Sequence, residues 1–351
     1  MRIGIPKEIK TLEGRIALTP DAVEVLANDG HEIFIQEDAE LAAGYQPHDY
    51  FIDGVTRVET AEELYGHAEL IVKVKEPIKQ EYDLLRSDHT LFSYLHLAAE
   101  PELTQVLLDK NVLSIGFETV QEDNGSLPLL TPMSNIAGRL ATMYGANLLT
   151  RPNNGQGILL GGLASTERGN VVIIGGGVSG YNAAVMAAGM GANVTVLDIN
   201  PKVLEHCRNI GPNVTAIQSY PSTIHKALLN ADLVIGAVLI TGKRAPHVVT
   251  ESMVRVMKRG SVIVDISIDQ GGCIETSRPT TYENPTYEVH GVTHFCVTNM
   301  PGAVPRTASE ALSAAILPYV RKLASRTDRY DIEGPLCSGV NTLDGQLSVE
   351  F

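Results

Sequence analysis

The stretch NVVIIGGGVSGYNAAVMAAGMGANVTVLD, residues 170–198, decides how this chain folds. A β-branched apolar run, Val171 to Ile174, leads into Gly175, Gly177 and Gly180, and an alanine-rich segment separates these from a second β-branched run that ends on Asp198. The spacing is G-x-G-x-x-G between a buried strand and a helix. Each glycine has its own task. Gly175 permits the tight turn, Gly177 lets backbone N–H groups approach a pyrophosphate, and Gly180 lets helix and strand pack closely. Asp198, at the end of the next strand, is placed to accept from the adenosine ribose. Its carboxylate suits a 2′-hydroxyl and would repel a 2′-phosphate, so the expected ligand is NAD rather than NADP.

Outward from this stretch, short β-branched runs alternate with amphipathic segments, the pattern of βα units on a parallel sheet. One set comprises RIGIPK (2–7), HEIFIQ (31–36), LIVKVKE (70–76), LFSYLHL (91–97) and VLSIGFE (112–118), with PDAVEVLAND and PELTQVLLDK as helices between them. The second set begins at NVVIIGGG and continues through ANVTVLD, VTAIQS, ADLVIGAV, SVIVDISI and HFCVTN. Between the sets, MSNIAGRLATMYGANLLT reads as one long helix. Its small residues Ala137, Gly138, Ala141 and Gly145 suggest close packing between domains. A last long helix is expected over about 305–324. The fold class is therefore α/β, with two Rossmann-like domains, parallel sheets and an interdomain active-site cleft. The domains are read as residues 1–130, 131–304 and a return segment 305–351.

Composition narrows the class of function. With 351 residues, 44% hydrophobic and 19% charged, the chain is long enough to bury two cores. A formal charge of −14 without any Lys/Arg run argues against nucleic-acid binding. Cys207, Cys273, Cys296 and Cys337 show no CxxC spacing, so reduced thiols are expected, with no metal knuckle and no disulfide framework. No apolar run reaches about 18 residues and the start is strand-like, so a cytoplasmic protein without a membrane segment is expected.

Five residues outside the glycine turn have chemistry that needs a reason. Asp269 follows the apolar run Val262 to Ile268, where ligands of open α/β sheets lie, with Gly271 and Gly272 allowing close backbone approach. It is equally placed to be a solvated loop acid. Lys73 and Lys75 alternate with Val72 and Val74, which puts both lysines on one strand face, and one of them reads as well as a solvated edge charge. His96 shares a face with Phe92 and Tyr94, where a satisfied core histidine is the ordinary explanation. Arg15 precedes a helix cap and reads equally as a surface arginine. Together these residues suggest an oxidoreductase acting on a small anionic substrate.

The segments MRIGIPKE, GRIALTP, VKVKEP, LHLA, PMSNIAGR, GGGVSGYNAA, VDISIDQGG and TNMPGAVPRTA follow one another in this order over residues 1–325. In that set the chain resembles the alanine dehydrogenases, which share their fold with the NAD-binding subunit of proton-translocating transhydrogenases. The resemblance implies reversible, NAD-dependent oxidative deamination of L-alanine to pyruvate and ammonia. It implies Arg15 and Lys75 as substrate-binding residues and His96 and Asp269 as catalytic residues. For the cofactor it implies Ser134, Val178, Asp198, Ser219, Val238, Leu239, Asn299 and Met300 beside the glycines. It also implies a homo-oligomer, a hexamer by the family pattern. Alternatives are a dehydrogenase of another small amino acid or a transhydrogenase-like NAD-binding module. Thr241 stands where the family usually carries proline, and the segment after Ser325 reads as short and poorly matched.

Overall fold

Two sheets form in the computed structural model, which describes residues 1–240 and 244–349. Thr241 lies outside the described residues. The chain divides into two units, one of Met1–Met133 with the chain from Gly302 onward, the other of Ser134–Pro301.

Along the chain, β1 (Arg2–Ile5), α1 (Pro20–Asn28), β2 (Glu32–Gln36), β3 (Val55–Val58), α2 (Ala61–His67), β4 (Leu70–Val72), β5 (Thr90–Ser93), α3 (Pro101–Asp109) and β6 (Leu113–Gly116) build most of the first unit. Helix α4 (Thr131–Leu148) follows. The second unit continues with β7 (Asn170–Ile174), α5 (Val178–Gly189), β8 (Asn193–Asp198), α6 (Pro201–Arg208), β9 (Val214–Gln218), α7 (Pro221–Leu228) and β10 (Leu233–Gly236). It closes with α8 (Glu251–Val254), β11 (Val262–Asp265), β12 (Thr286–Val289) and β13 (Val292–Phe295). Helices α9 (Pro305–Ser325) and α10 (Pro335–Gly339), then β14 (Val340–Leu343) and β15 (Gln346–Leu347), return to the first unit.

Among the described residues the first sheet has the order β15-β14-β6-β5-β4-β1-β2-β3 and the second β12-β13-β11-β10-β7-β8-β9. Both are parallel through their centres, as βα crossovers require, but neither is parallel throughout. Strands β12 and β14 pair antiparallel with β13 and β6, and β15 pairs antiparallel with β14. The expectation of parallel sheets is corrected at these edges, and for the β12–β13 and β14–β15 pairs the cause is local. His290-Gly291 and Asp344-Gly345 join their strands in two residues, all four with positive φ, which is hairpin geometry.

The central strands β4, β5, β6, β10 and β11 are buried along their whole length, which explains why they are mostly apolar on both faces. Helix α4 lies close to its neighbours because a Cβ on Gly138 would fall 2.0 Å from the Ser179 carbonyl oxygen, and one on Gly145 would fall 2.4 Å from Leu233 Cδ1. Ser179 and Leu233 belong to the same unit as both glycines. These two contacts are therefore within one unit, whereas the sequence reading placed such packing between domains. No helix among the described residues is long and apolar enough to cross a membrane.

Candidate active site

In the first unit β6, β5, β4 and β1 are parallel neighbours, so the residues that follow them line one sheet edge. Glu118 follows β6, His96 follows β5, Lys75 follows β4, and Glu8 and Arg15 follow β1.

Arg15 is 2% exposed, which rules out the surface-arginine reading. Its Nε donates to Glu13 Oε1 at 2.6 Å, a second guanidinium nitrogen meets the other Glu13 oxygen, and a third lies 3.1 Å from Met133 Sδ. Burial opposes its charge, but Glu13 more than compensates and holds the pKa above the usual arginine value. Helix α9 fixes the loop that carries it, since Ser309 and Ser313 accept the N–H groups of Ile16 and Thr19 at 2.9 and 3.0 Å.

The two lysines do not share a strand face. Strand β4 stops at Val72, and the chain bends through residues 74–75. Lys73 is buried, donates to Glu81 Oε1 at 2.6 Å and lies 3.7 Å from Glu8 Oε2, while Tyr65 donates to the same Glu81 oxygen at 3.1 Å. Burial works against its charge, and the two carboxylates hold it above the usual lysine range. It is a structural ion pair, not a solvated edge charge. Lys75 is half-buried beyond it. Glu8 Oε1 accepts from the backbone N–H of Val74 at 2.5 Å and of Lys75 at 3.3 Å. Burial lifts the Glu8 pKa to about 7 against the pull of Lys73.

His96 is not a core residue. Strand β5 ends at Ser93, and His96 is exposed in a left-handed conformation with φ 48° and ψ 40°. That conformation is uncommon outside glycine and needs support from its surroundings. Glu118 supplies it by accepting from His96 N at 2.6 Å and from Leu95 N at 3.2 Å. The imidazole stacks on Tyr94, centroids 5.9 Å apart and planes 7° apart, and the Tyr94 hydroxyl donates to the Leu129 carbonyl at 2.6 Å.

In the second unit the glycine turn follows β7, Asp198 ends β8, Ser219 follows β9, Val238 and Leu239 follow β10, Asp269 follows β11, and Asn299 and Met300 follow β13. These strands are parallel neighbours, so the set shares one edge, with strand order reversing between β7 and β10. Gly175 has φ 92°, and a Cβ there would lie 2.5 Å from the Ala237 carbonyl oxygen. Gly177 would carry a Cβ into open space, and it caps α5 with no side-chain hydrogen bond to the first amides. A Cβ on Gly180 would fall 1.8 Å from the Gly175 carbonyl oxygen. An open, uncapped helix start of this kind fits a pyrophosphate. Asp198 braces the turn, accepting from Gly176 N and Asn200 N, each at 2.7 Å. Ser134 differs from the rest in lying in the first turn of α4 instead of at a strand end.

Asp269 is not at the end of a long strand. Strand β11 stops at Asp265, and a 3-10 turn over Ile266–Gln270 presents Asp269 exposed, its Oδ1 accepting from Asn299 N at 3.1 Å. Asn299 is itself left-handed, with φ 56°. The buried Asp265 ties this loop down by accepting from the N–H groups of Ser267 and Cys273, each at 3.0 Å, and from Ser277 Oγ at 2.7 Å. Gly271 and Gly272 have φ of 92° and 82°, and a Cβ on Gly271 would meet Arg244 Nε at 2.5 Å. They serve the turn itself, where the sequence reading gave them to ligand approach.

Glu8, Glu13, Glu118 and Asp265 were not singled out from the sequence. Glu8, Glu118 and Asp265 are acids at or just beyond a strand end, and that position was the available signal, whereas Glu13 lies further along the loop between β1 and α1.

Two family models match the chain: "Alanine dehydrogenase/PNT, N-terminal domain" over residues 4–137 and "Alanine dehydrogenase/PNT, C-terminal domain" over residues 141–350. The chain belongs to the alanine dehydrogenase/PNT family. An alanine dehydrogenase of Staphylococcus epidermidis is 49% identical over 352 residues, covering 99% of this chain and 95% of that protein. A solved L-alanine dehydrogenase structure superposes with a TM-score of 0.95 at 48% identity, covering 99% of this chain and 97% of that one. A transhydrogenase structure from Sinorhizobium meliloti gives 0.85 at 22% identity, over 99% of each chain, which is a likeness of fold alone. The family match runs past residue 325, so the reading of a poorly matched C-terminus is corrected. That segment extends the first sheet, where Thr342 Oγ1 lies 2.7 Å from Ser114 Oγ, and Asn341 Nδ2 donates to Thr119 Oγ1 at 2.8 Å. The family's fold supports an NAD-type cofactor.

Proposed function

We infer that this protein is an NAD-dependent alanine dehydrogenase, interconverting L-alanine and water with pyruvate and ammonia. The observation that carries the reading, beside family membership, is the pair of exposed and unusually held groups. His96 is kept left-handed by Glu118, and Asp269 is braced by the left-handed Asn299. Backbone of this kind persists where surrounding structure over-determines it, which is common at reacting sites.

In this reading NAD, bound at the glycine turn and Asp198, supplies the acceptor for the hydride of the alanine Cα. Arg15, its plane fixed by Glu13, binds the substrate carboxylate with charge-assisted hydrogen bonds. Lys75 holds the oxygen that becomes the pyruvate carbonyl. With its amine deprotonated, alanine loses the hydride to leave an iminium, water adds to the iminium carbon, and the resulting carbinolamine collapses as its C–N bond breaks and its C=O bond forms. Water must lose a proton in the addition, and in the collapse the hydroxyl must lose one while nitrogen gains one. Asp269 has Oδ1 committed to Asn299 N, which leaves Oδ2 for such transfers. His96 turns Nδ1 toward Glu118 Oε1 at 4.0 Å, which leaves Nε2. Ser134, Ser219, Val238, Leu239 and Met300 complete the cofactor contacts in this reading. The working form is taken as a cytoplasmic homo-oligomer, six copies by the family pattern.

A panel of amino acids assayed with NAD and NADP by absorbance of the reduced nicotinamide tests the assignment. L-alanine with NAD is expected to give the highest kcat/KM, and a larger amino acid turning over best would overturn the substrate. Coenzyme choice has its own test. Asp198→Ala is expected to lower the ratio of kcat/KM with NAD to that with NADP by about tenfold, the scale of one charge-assisted hydrogen bond. An unchanged ratio would remove Asp198 from the ribose.

A further inference from the structure

Glu8 is an acid in the first unit to which the reaction sequence above gives no step. It follows β1, yet its hydrogen bonds reach the chain beyond β4, 66 and 67 residues away, where Oε1 accepts from the N–H groups of Val74 and Lys75 at 2.5 and 3.3 Å. Beyond the last paired residues of β4 and β5, Val72 and Phe92, the Val74 carbonyl still accepts from Tyr94 N at 3.0 Å. The N–H groups of Val74 and Lys75 instead turn to the Glu8 carboxyl, so Glu8 takes over the acceptor side of the pairing at the bend that carries Lys75. Burying a carboxyl is unfavourable unless its hydrogen bonds are put to use. Glu8 Oε2 has no hydrogen-bond partner and faces Lys73 Nζ at 3.7 Å.

We propose that Glu8 is the positioning residue for Lys75, acting as a backbone acceptor that sets where the lysine side chain leaves the β4 bend. The proposal rests on the reading of Lys75 as a substrate-binding residue. It distinguishes the two lysines of the VKVKEP segment, since Lys73 closes the buried carboxylate cluster from below while Lys75 is aimed by it. The acceptor function does not depend on the charge of Glu8. A carboxyl lifted to a pKa of about 7 by burial is already partly neutral near that pH, and a neutral C=O still accepts from both N–H groups.

Glu8→Gln and Glu8→Asp separate acceptor from charge. Gln keeps the reach and an acceptor oxygen but not the charge, and Asp keeps the charge but withdraws the oxygen by one methylene. We expect Glu8→Gln to leave the KM for L-alanine within about threefold of the parent and Glu8→Asp to raise it by about tenfold, the scale of a lost buried hydrogen bond. The dissociation constant for NAD, measured on the same folded samples, should stay constant. Because Glu8 acts through Lys75, the double variant Glu8→Asp/Lys75→Ala should show the same KM as Lys75→Ala alone. Additive losses, or a larger loss in Glu8→Gln than in Glu8→Asp, would overturn the proposal. A Lys75→Ala variant with parental kinetics is a different result, since it would remove Lys75 from the substrate and leave the function reading to be revised first.

Discussion

Asp269→Asn and His96→Ala are each expected to lower kcat by about 100-fold or more, the usual scale for removing acid–base catalysis. The structure makes these substitutions clean probes. Both side chains are exposed, so neither change leaves a cavity or an unpaired buried group. Asparagine at 269 can keep the acceptor for Asn299 N, so the 3-10 turn should hold. The backbone N–H of His96 bonds Glu118 whatever side chain stands there. A small fall in melting temperature is expected for His96→Ala, because alanine tolerates a left-handed backbone less readily than histidine does. NAD affinity should change little in either variant. Single-turnover hydride transfer and thermal unfolding, measured on the same samples, separate chemistry from packing. Near-parental turnover in stably folded Asp269→Asn protein would remove Asp269 from the proton transfers. Activity loss that merely tracked the melting temperature would make His96 a structural residue.

The second large effect concerns the glycine turn and comes as a contrast between two of its positions. Gly180→Ala places a methyl group 1.8 Å from the Gly175 carbonyl oxygen, a backbone atom that cannot step aside as a flexible side chain would. Helix α5 must move off β7, and overpacking of this kind costs about 3 kcal/mol. A fall in melting temperature of roughly 5–10 °C is expected, with loss of NAD binding. Gly177→Ala meets nothing within 4 Å and keeps an ordinary backbone, with φ −60°. Its melting temperature should stay near that of the parent. Its KM for NAD should still rise by about tenfold or more, because the new methyl group stands where the pyrophosphate is expected to approach. Calorimetry and NAD titration on both variants check the contrast. Equal loss of stability in the two would contradict the packing described for the turn, and undisturbed NAD binding in Gly177→Ala would place the pyrophosphate elsewhere.

The second unit was legible in the sequence because its signal is local. A strand, a tight turn, a helix and a strand-ending acid fall within 29 residues, and the tightest glycine contact, Gly180 against the Gly175 carbonyl oxygen, is made inside that stretch. The helices α1, α3, α4 and α9 were readable for the same reason, from their own periodicity. Strand ends were less so. Apolar alternation carries on past Val72, Ser93 and Asp265, where the strands end, so the pattern alone extends strands as far as Lys73, His96 and Asp269. The edge hairpins at His290-Gly291 and Asp344-Gly345 do carry a local signal, a glycine in each two-residue turn.

By itself the sequence determined that this chain builds a dinucleotide-binding α/β unit, and it pointed to Arg15, Lys75, His96 and Asp269 through family motifs. Only the tertiary structure decided how those residues are held. The loop that carries Arg15 is tied to α9, whose Ser309 is 293 residues from Ile16, and the His96 backbone is held by Glu118, 22 residues away. Lys75 is fixed through Glu8, across 67 residues. Pairings this distant leave no periodicity in the chain, because they arise when parallel strands bring their carboxyl ends to one edge, and the burial that follows decides whether a lysine is a structural ion pair, as Lys73 is, or stays half-buried, as Lys75 does.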